Sequence, residues 1–213
     1  MKTIFYILIF IPIILSAQRI GEMAPDPKPE VFLPHRIGVD LLFGDGGFGL
    51  GGFYRLSFNQ HITGFVDLSF SESKDNKELQ FIDPFTGQVI TRGKVNRVFT
   101  VPVNFGIKYR LFANQLTDVL RPFVEFGVGP DFVITTPTSK EFFSAFGDAK
   151  LKMAAVGYIG FGANFGLSKK NLMGLSFKYY YAHIFNGGVE SLRNRIRKNL
   201  GSVYIILSLG IMY

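Results

Sequence analysis

Apolar and polar residues alternate along most of this chain, and the alternation falls into eight segments. In R-I-G-V-D-L-L-F-G, residues 36–44, Ile37, Val39, Leu41 and Phe43 share one face while Gly38, Asp40 and Leu42 share the other. A period of two is that of a β-strand with one face in an apolar medium. Asp45-Gly46-Gly47 then reads as a tight turn. The second segment, residues 48–58, sets Phe48, Leu50, Tyr54, Leu56 and Phe58 against Gly49, Gly51, Phe53, Arg55 and Ser57, and the third, residues 61–71, sets Ile62, Val66, Leu68 and Phe70 against Thr63, Phe65, Asp67 and Ser69. The fourth, residues 94–109, alternates without a break from Lys94 and Val95 to Lys108 and Tyr109, too long for a strand of a small soluble sandwich. The rest are expected at residues 121–132, about 152–167, 173–182 and 203–213.

The connections repeat as well. Asn59-Gln60, the stretch near residues 113–120 and residues 168–171 are shorter than the connections after the third, fifth and seventh segments. Strands that cross a membrane alternately up and down have short periplasmic turns and long outer loops, and an even number of them leaves both termini on the periplasmic side. In lipid an open sheet edge leaves backbone donors and acceptors unpaired at several kcal/mol each, so the sheet is expected to close. The predicted fold is therefore all-β, an eight-stranded antiparallel transmembrane up-and-down β-barrel.

Closure assigns the faces. The apolar face looks out, and Asp40, Arg55, Asp67, Lys94, Asn104, Lys108, Glu125, Asn164 and Lys178 look in, separated by glycines. Eight strands leave an interior that side chains fill, so a network of paired acids and bases is expected there rather than a solute pore. A soluble barrel of the lipocalin type, apolar face inward, is the alternative reading. Its other face would be densely charged, which this one is not.

Composition adds three constraints. Residues 1–17, M-K-T-I-F-Y-I-L-I-F-I-P-I-I-L-S-A, have a positive start, an apolar middle and small residues before Gln18. They read as an export signal removed from the mature protein, followed by a periplasmic segment, residues 18–35, and the barrel, residues 36–213. The absence of cysteine means that an exported chain folds without disulfide staples. With 24 phenylalanines, 9 tyrosines and 24 glycines, the chain has the aromatics and small residues of a lipid-facing sheet. The formal charge of +7 alone permits nucleic-acid binding, but export and the lack of any base-reading motif argue against that partner.

The chain ends on alternating apolar positions and an aromatic residue, Tyr213. This resembles the terminal signal by which bacterial outer-membrane proteins engage their insertion machinery. With the leader and the eight segments, residues 36–213 resemble the small outer-membrane barrels of the OmpA-like and OmpX-like families, in the Phe/Tyr/Gly-rich style of Bacteroidetes barrels. The resemblance implies localisation in the cell outer membrane and contact with its lipids and lipopolysaccharide; separately, no residue pattern calls for a cofactor, and none is expected.

One stretch invites a catalytic reading. H-I-F-N-G-G, from His183 to Gly188, is similar to the His-x-Ser-Asn motif of outer-membrane lipid A deacylases: His183 matches the histidine and Asn186 the asparagine. Phe185 stands where the motif has its nucleophile, and Arg197 where its acid is expected. A histidine base needs a hydroxyl within about 3 Å; Ser191, oriented through Glu190 or Glu141, is the nearest substitute. The alternative is an interfacial histidine at a strand end where glycine supplies positive φ.

R-N-R-I-R-K reads either as a solvated charge run or as a set of lipopolysaccharide contacts, Arg193, Arg195, Arg197 and Lys198, since guanidinium groups pair well with phosphates. In the long loop of residues 74–88, Asp75, Glu78 and Asp83 lack a calcium-ligand pattern and read as scattered surface acids, while Phe81, Ile82 and Phe85 either offer a surface to a protein partner or pack over the barrel mouth. His35, His61 and His183 fall at different barrel ends, so no metal site is expected. The function expected is an integral barrel with a structural or interaction role and no catalysis. A lipid A deacylase-like hydrolase and a narrow channel are the alternatives.

Overall fold

The computed structural model describes residues 34–213 except 76, 79, 83, 86–88, 92, 114, 117–119 and 166–169. The leader and the segment after it up to residue 33, Asp83, and the end of the sixth segment at Gly166 and Leu167 lie outside the described residues. So does part of the turn that follows.

Eight strands close into one antiparallel barrel: β1 (His35–Gly44), β2 (Gly47–Ser57), β3 (Ile62–Glu72), β6 (Asn96–Arg110), β7 (Leu120–Pro137), β8 (Lys150–Phe165), β9 (Asn171–Ile184) and β12 (Asn199–Met212). Each pairs with its neighbours in the chain, and β1 closes the ring on β12, from Arg36↔Met212 to Gly44↔Tyr204. Two hairpins outside the barrel sheet, β4 (Gln80–Ile82) with β5 (Val89–Thr91) and β10 (Val189–Leu192) with β11 (Arg195–Arg197), sit in the long loops.

The strands differ from the periodic segments at their ends. β7 continues to Pro137 and β12 begins at Asn199, because strand pairing persists where the one-sided apolar pattern has stopped. Alternation in the fourth segment overshoots instead: Lys94 and Val95 precede β6, and Lys94 makes only an isolated bridge to Leu192.

Burial alternates as the pleat requires. On β9, Leu175, Phe177, Tyr179 and Tyr181 are each exposed by more than two-fifths, while Ser176, Lys178, Tyr180 and Ala182 between them are buried. The same outward belt runs through Val39, Leu68, Phe105, Ile159 and Ile205 around the ring. Left in water, so much apolar surface on a single chain is costly; in hydrocarbon it is the expected solvent-facing surface of a transmembrane barrel. Among the described residues no helix is long and apolar enough to cross a membrane, so any crossing is made by strands.

At the short-turn end, His35 Nδ1 lies 2.7 Å from the Tyr54 hydroxyl and its ring stacks on Tyr213 at 5.5 Å, while His61 stacks on Tyr109 at 6.0 Å. Rings with one polar edge suit the boundary between lipid and water. The terminal residue is tied in: Tyr213 N–H donates to the His35 carbonyl at 3.0 Å.

Candidate functional site

The inward face divides into two levels. The middle of the barrel holds charge. Three carboxylates, Asp40, Asp67 and Glu125, meet three bases, Arg55, Lys108 and Lys178, all at most 7 % exposed in their side chains. Lys178 Nζ lies 3.3 Å from both Asp67 and Glu125, and Lys108 Nζ 3.3 Å from Glu125. Arg55 approaches Asp40 at 3.7 Å and donates to the Ser208 hydroxyl at 3.1 Å, which in turn donates to Asp40 at 2.5 Å. Tyr158 donates to Asp67 at 3.0 Å. Aromatic faces carry the bases: Arg55 sits 3.7 Å above the Phe53 ring and Lys108 Nζ 3.6 Å above Phe123. Asn104 and Asn164 also face inward and are buried.

Toward the long-loop end the inward side chains turn apolar. Leu42, Val98, Val133, Ala182, Ile184, Val189, Leu200 and Ile206 belong to one buried cluster with Tyr180 and Tyr204. The β10–β11 hairpin covers it. Val95 N–H donates to the Ser191 carbonyl at 2.8 Å, Arg193 N–H to the Gly93 carbonyl at 2.9 Å, and the Asn96 amide to the Glu190 carbonyl at 2.7 Å.

Charges lock this lid. Ser191 donates to Glu78 at 2.5 Å; Lys94 Nζ lies 3.1 Å from both Glu78 and Glu72. Lys94, expected in the barrel network, is therefore part of the lid, because it stands two residues before β6 begins. Asp75 is 3 % exposed and takes Arg195 at 3.1 Å and Arg197 at 3.8 Å, while Arg197 also donates to the Lys74 carbonyl at 3.0 Å. Asp75 and Glu78, read as scattered surface acids, are instead the lid's anchors; Ser191, Arg195 and Arg197 lie more than a hundred residues from them, where local pattern has no reach. Burial pushes the Glu78 carboxyl upward, but the hydrogen bonds from Ser191 and the Asp75 backbone and the Lys94 ammonium outweigh it and hold the group below its ordinary value.

This changes the standing of the four basic candidates. Arg195 and Arg197 are engaged by Asp75, whereas Arg193 and Lys198 are exposed. A cleft of about 530 Å3 is lined by Arg195, Arg197, Lys198 and Asn199 together with Tyr179, Tyr181 and Val203 of the outward wall.

His183 continues the outward face of Tyr179 and Tyr181 and is exposed. Its Nδ1 lies 2.7 Å from the Asn199 side-chain oxygen, its register partner across β12, and its ring meets Phe185 edge-on at 6.1 Å. Ser191 is 1 % exposed and engaged by Glu78, and Glu190 accepts the Asn194 N–H at 2.6 Å. Asn186 is exposed, as is Glu141 at the start of the helical turn Phe142–Ala145. The structure thus brings neither Ser191, Glu190 nor Glu141 to His183, and among the described residues no hydroxyl hydrogen-bonds it. Gly187 and Gly188 both take φ +72°, and a Cβ on Gly188 would fall 2.5 Å from the Arg197 carbonyl oxygen; this pair turns the chain into the lid hairpin.

No group of three or more His, Cys, Asp or Glu side chains able to hold a metal occurs among the described residues. The inward set missed one buried acid, Asp131, which the same parity reaches two positions beyond Gly129 on the face of Glu125. Ser208 and Tyr158, which bridge the network, carried no signal beyond that parity.

Comparison with known proteins identifies the architecture and goes no further. No protein-family model and no curated protein matches the chain. The fold is similar to that of Neisserial surface protein A, at 9 % identity and a TM-score of 0.55, covering 84 % of this chain and 97 % of that one. A major outer membrane protein from Thermus thermophilus matches at 13 % identity and 0.49, over 84 % and 98 % of the two chains. The N-terminal β-barrel domain of OprF from Pseudomonas aeruginosa matches at 12 % and 0.47, over 85 % and 98 %. What is shared at these identities is the barrel.

Proposed function

We propose that this chain is an integral protein of the bacterial outer membrane, a sealed barrel with a structural or interaction role and no catalysis of its own. The observation that supports this reading is the interior: a neutral set of three acids and three bases fills the middle, an apolar cluster lies above it, and an ion-paired hairpin covers both. A side-chain-filled lumen has no route for a solute. Function is then expected on the outside, at the long loops and the lipid-facing wall.

The long loops face out of the cell in this account, with the short turns and both termini in the periplasm. Arg193 and Lys198, exposed beside the lid, meet the phosphates of lipopolysaccharide, and Phe143 and Ile196, 87 % and 66 % exposed, offer apolar contact to lipid or to a protein partner. Tyr213, directly after β12, presents the aromatic terminus to the insertion machinery. Purified, refolded barrel incubated with lipid A is expected to release no acyl chains. Release that His183→Ala abolishes would overturn the reading.

A further inference from the structure

Phe99 breaks the alternation of burial on its strand. It faces outward on β6, between the inward Val98 and Thr100, and further along the same face Phe105, Ile107 and Tyr109 are all exposed. Phe99 itself is 4 % exposed.

What covers it comes from the long connection between β7 and β8. There the helical turn Phe142–Ala145 runs on into a 3-10 turn, Phe146–Asp148. The Phe146 ring stacks on Phe99 at 5.9 Å and Phe142 meets it edge-on at 6.0 Å, while Phe70, an outward residue of β3, stacks on Phe99 at 5.3 Å. A loop whose rings rest on outward rings lies outside the barrel wall. It has folded back over the lipid-facing surface instead of projecting away from it.

Polar contacts fix the loop there. Arg97 donates to the Lys140 carbonyl at 3.4 Å with its guanidinium 6.0 Å from the centre of the Phe142 ring, and Lys140 pairs with Asp148 across the turn. The turn also engages its own backbone: Ala145 N–H donates to the Glu141 carbonyl at 2.9 Å, the Ser144 hydroxyl donates to the same carbonyl at 3.0 Å, and Ala149 N–H donates to the Phe146 carbonyl at 3.2 Å. Backbone groups satisfied within the segment lower the cost of bringing it to hydrocarbon.

The side turned away from the barrel is apolar. Phe143 stands out from it almost wholly exposed, and Leu151 and Met153, the next outward residues on β8, are each more than half exposed. The charged residues of the loop, Lys140, Glu141, Asp148 and Lys150, flank the aromatic run in sequence and are exposed. Apolar side chains sunk at the boundary of headgroups and acyl chains, with charges left in water, are the make-up of an interfacial element.

We propose that residues 142–148 anchor the barrel in the outer leaflet, with Phe143 inserted among lipid acyl chains just below the headgroups. The inference rests on the orientation proposed above, with the long loops outward, and it commits the Phe143 surface to lipid rather than to a protein. The patch is continuous with the outward wall through Phe70, Leu151 and Met153, so the medium that covers those residues reaches Phe143.

The chain contains no tryptophan, so one introduced residue is a sole reporter. Phe143→Trp and, as a reference on the wall, Ile159→Trp are refolded into phosphatidylcholine vesicles whose chains are brominated either near the headgroup or near the chain end. Both side chains project from the surface, so neither substitution disturbs packing. Phe143→Trp is expected to lose emission to the shallow bromines more than to the deep ones, and to be shielded from aqueous acrylamide relative to free tryptophan. Quenching of Phe143→Trp by acrylamide alone, while bromine quenches Ile159→Trp, overturns the anchor and leaves the membrane barrel standing. A Phe143→Trp that neither quencher reaches is covered by protein, which also overturns it. Absence of bromine quenching in Ile159→Trp ends the membrane reading, and the anchor with it.

Discussion

Lys178 bears more of the interior than any neighbour, since it neutralises Asp67 and Glu125 at once and donates to the Tyr158 hydroxyl at 3.3 Å. Its stem crosses a space that no backbone bond spans. Truncation to alanine leaves Asp67 without a base and Glu125 with Lys108 alone, and breaking a buried pair from one side costs about 3–5 kcal/mol. Lys178→Ala is therefore expected to lower the unfolding free energy by about that amount, read by urea titration in detergent. Replacing Lys108 and Glu125 together by methionine and leucine is expected to cost much less, because it leaves no new carboxylate without a base. The identities in this network were legible, since parity alone turns Asp67, Lys108, Glu125 and Lys178 inward. Which acid meets which base was not, because that depends on the stagger of strands around the ring, and no single strand encodes it.

At the scale of elements, the barrel strands and the lid differ in how they are written. A barrel strand of ten or more residues repeats its period often enough to be recognised. The lid strand Arg195–Arg197 has three residues, less than two periods, and its partners are supplied by a loop that precedes it by more than a hundred positions. R-N-R-I-R-K consequently looked like a free basic run, when two of its arginines are held by Asp75. Acid should loosen this element. The folded-state pKa of Glu78 is depressed, so its contribution is complete above the ordinary glutamate value of about 4.3 and is lost as pH falls through the lower folded value. Amide exchange in Val189–Leu192 is expected to be slow at neutral pH and to accelerate, after correction for intrinsic rates, in the acid range below that value. Glu78→Gln should bring the faster exchange to neutral pH and flatten the dependence. A wild-type profile that is flat through the acid range would show that the lid is held by other contacts.

For the whole molecule, the outward belt and the closed ring are one solution to one solvent. Hydrocarbon accepts Phe105, Ile159 and Leu175 and rejects an open edge, so the same alternation that exposes the apolar side chains demands that β1 pair with β12. The interior is then whatever eight strands can enclose, and among the described residues it encloses ion pairs and an apolar cluster. The sealed lumen is the central claim, and conductance of the purified barrel in a planar lipid bilayer tests it most directly. The account predicts a silent membrane at neutral pH, with no discrete openings across the usual range of applied voltage. Stable, stepwise openings carried by the unaltered protein would contradict it.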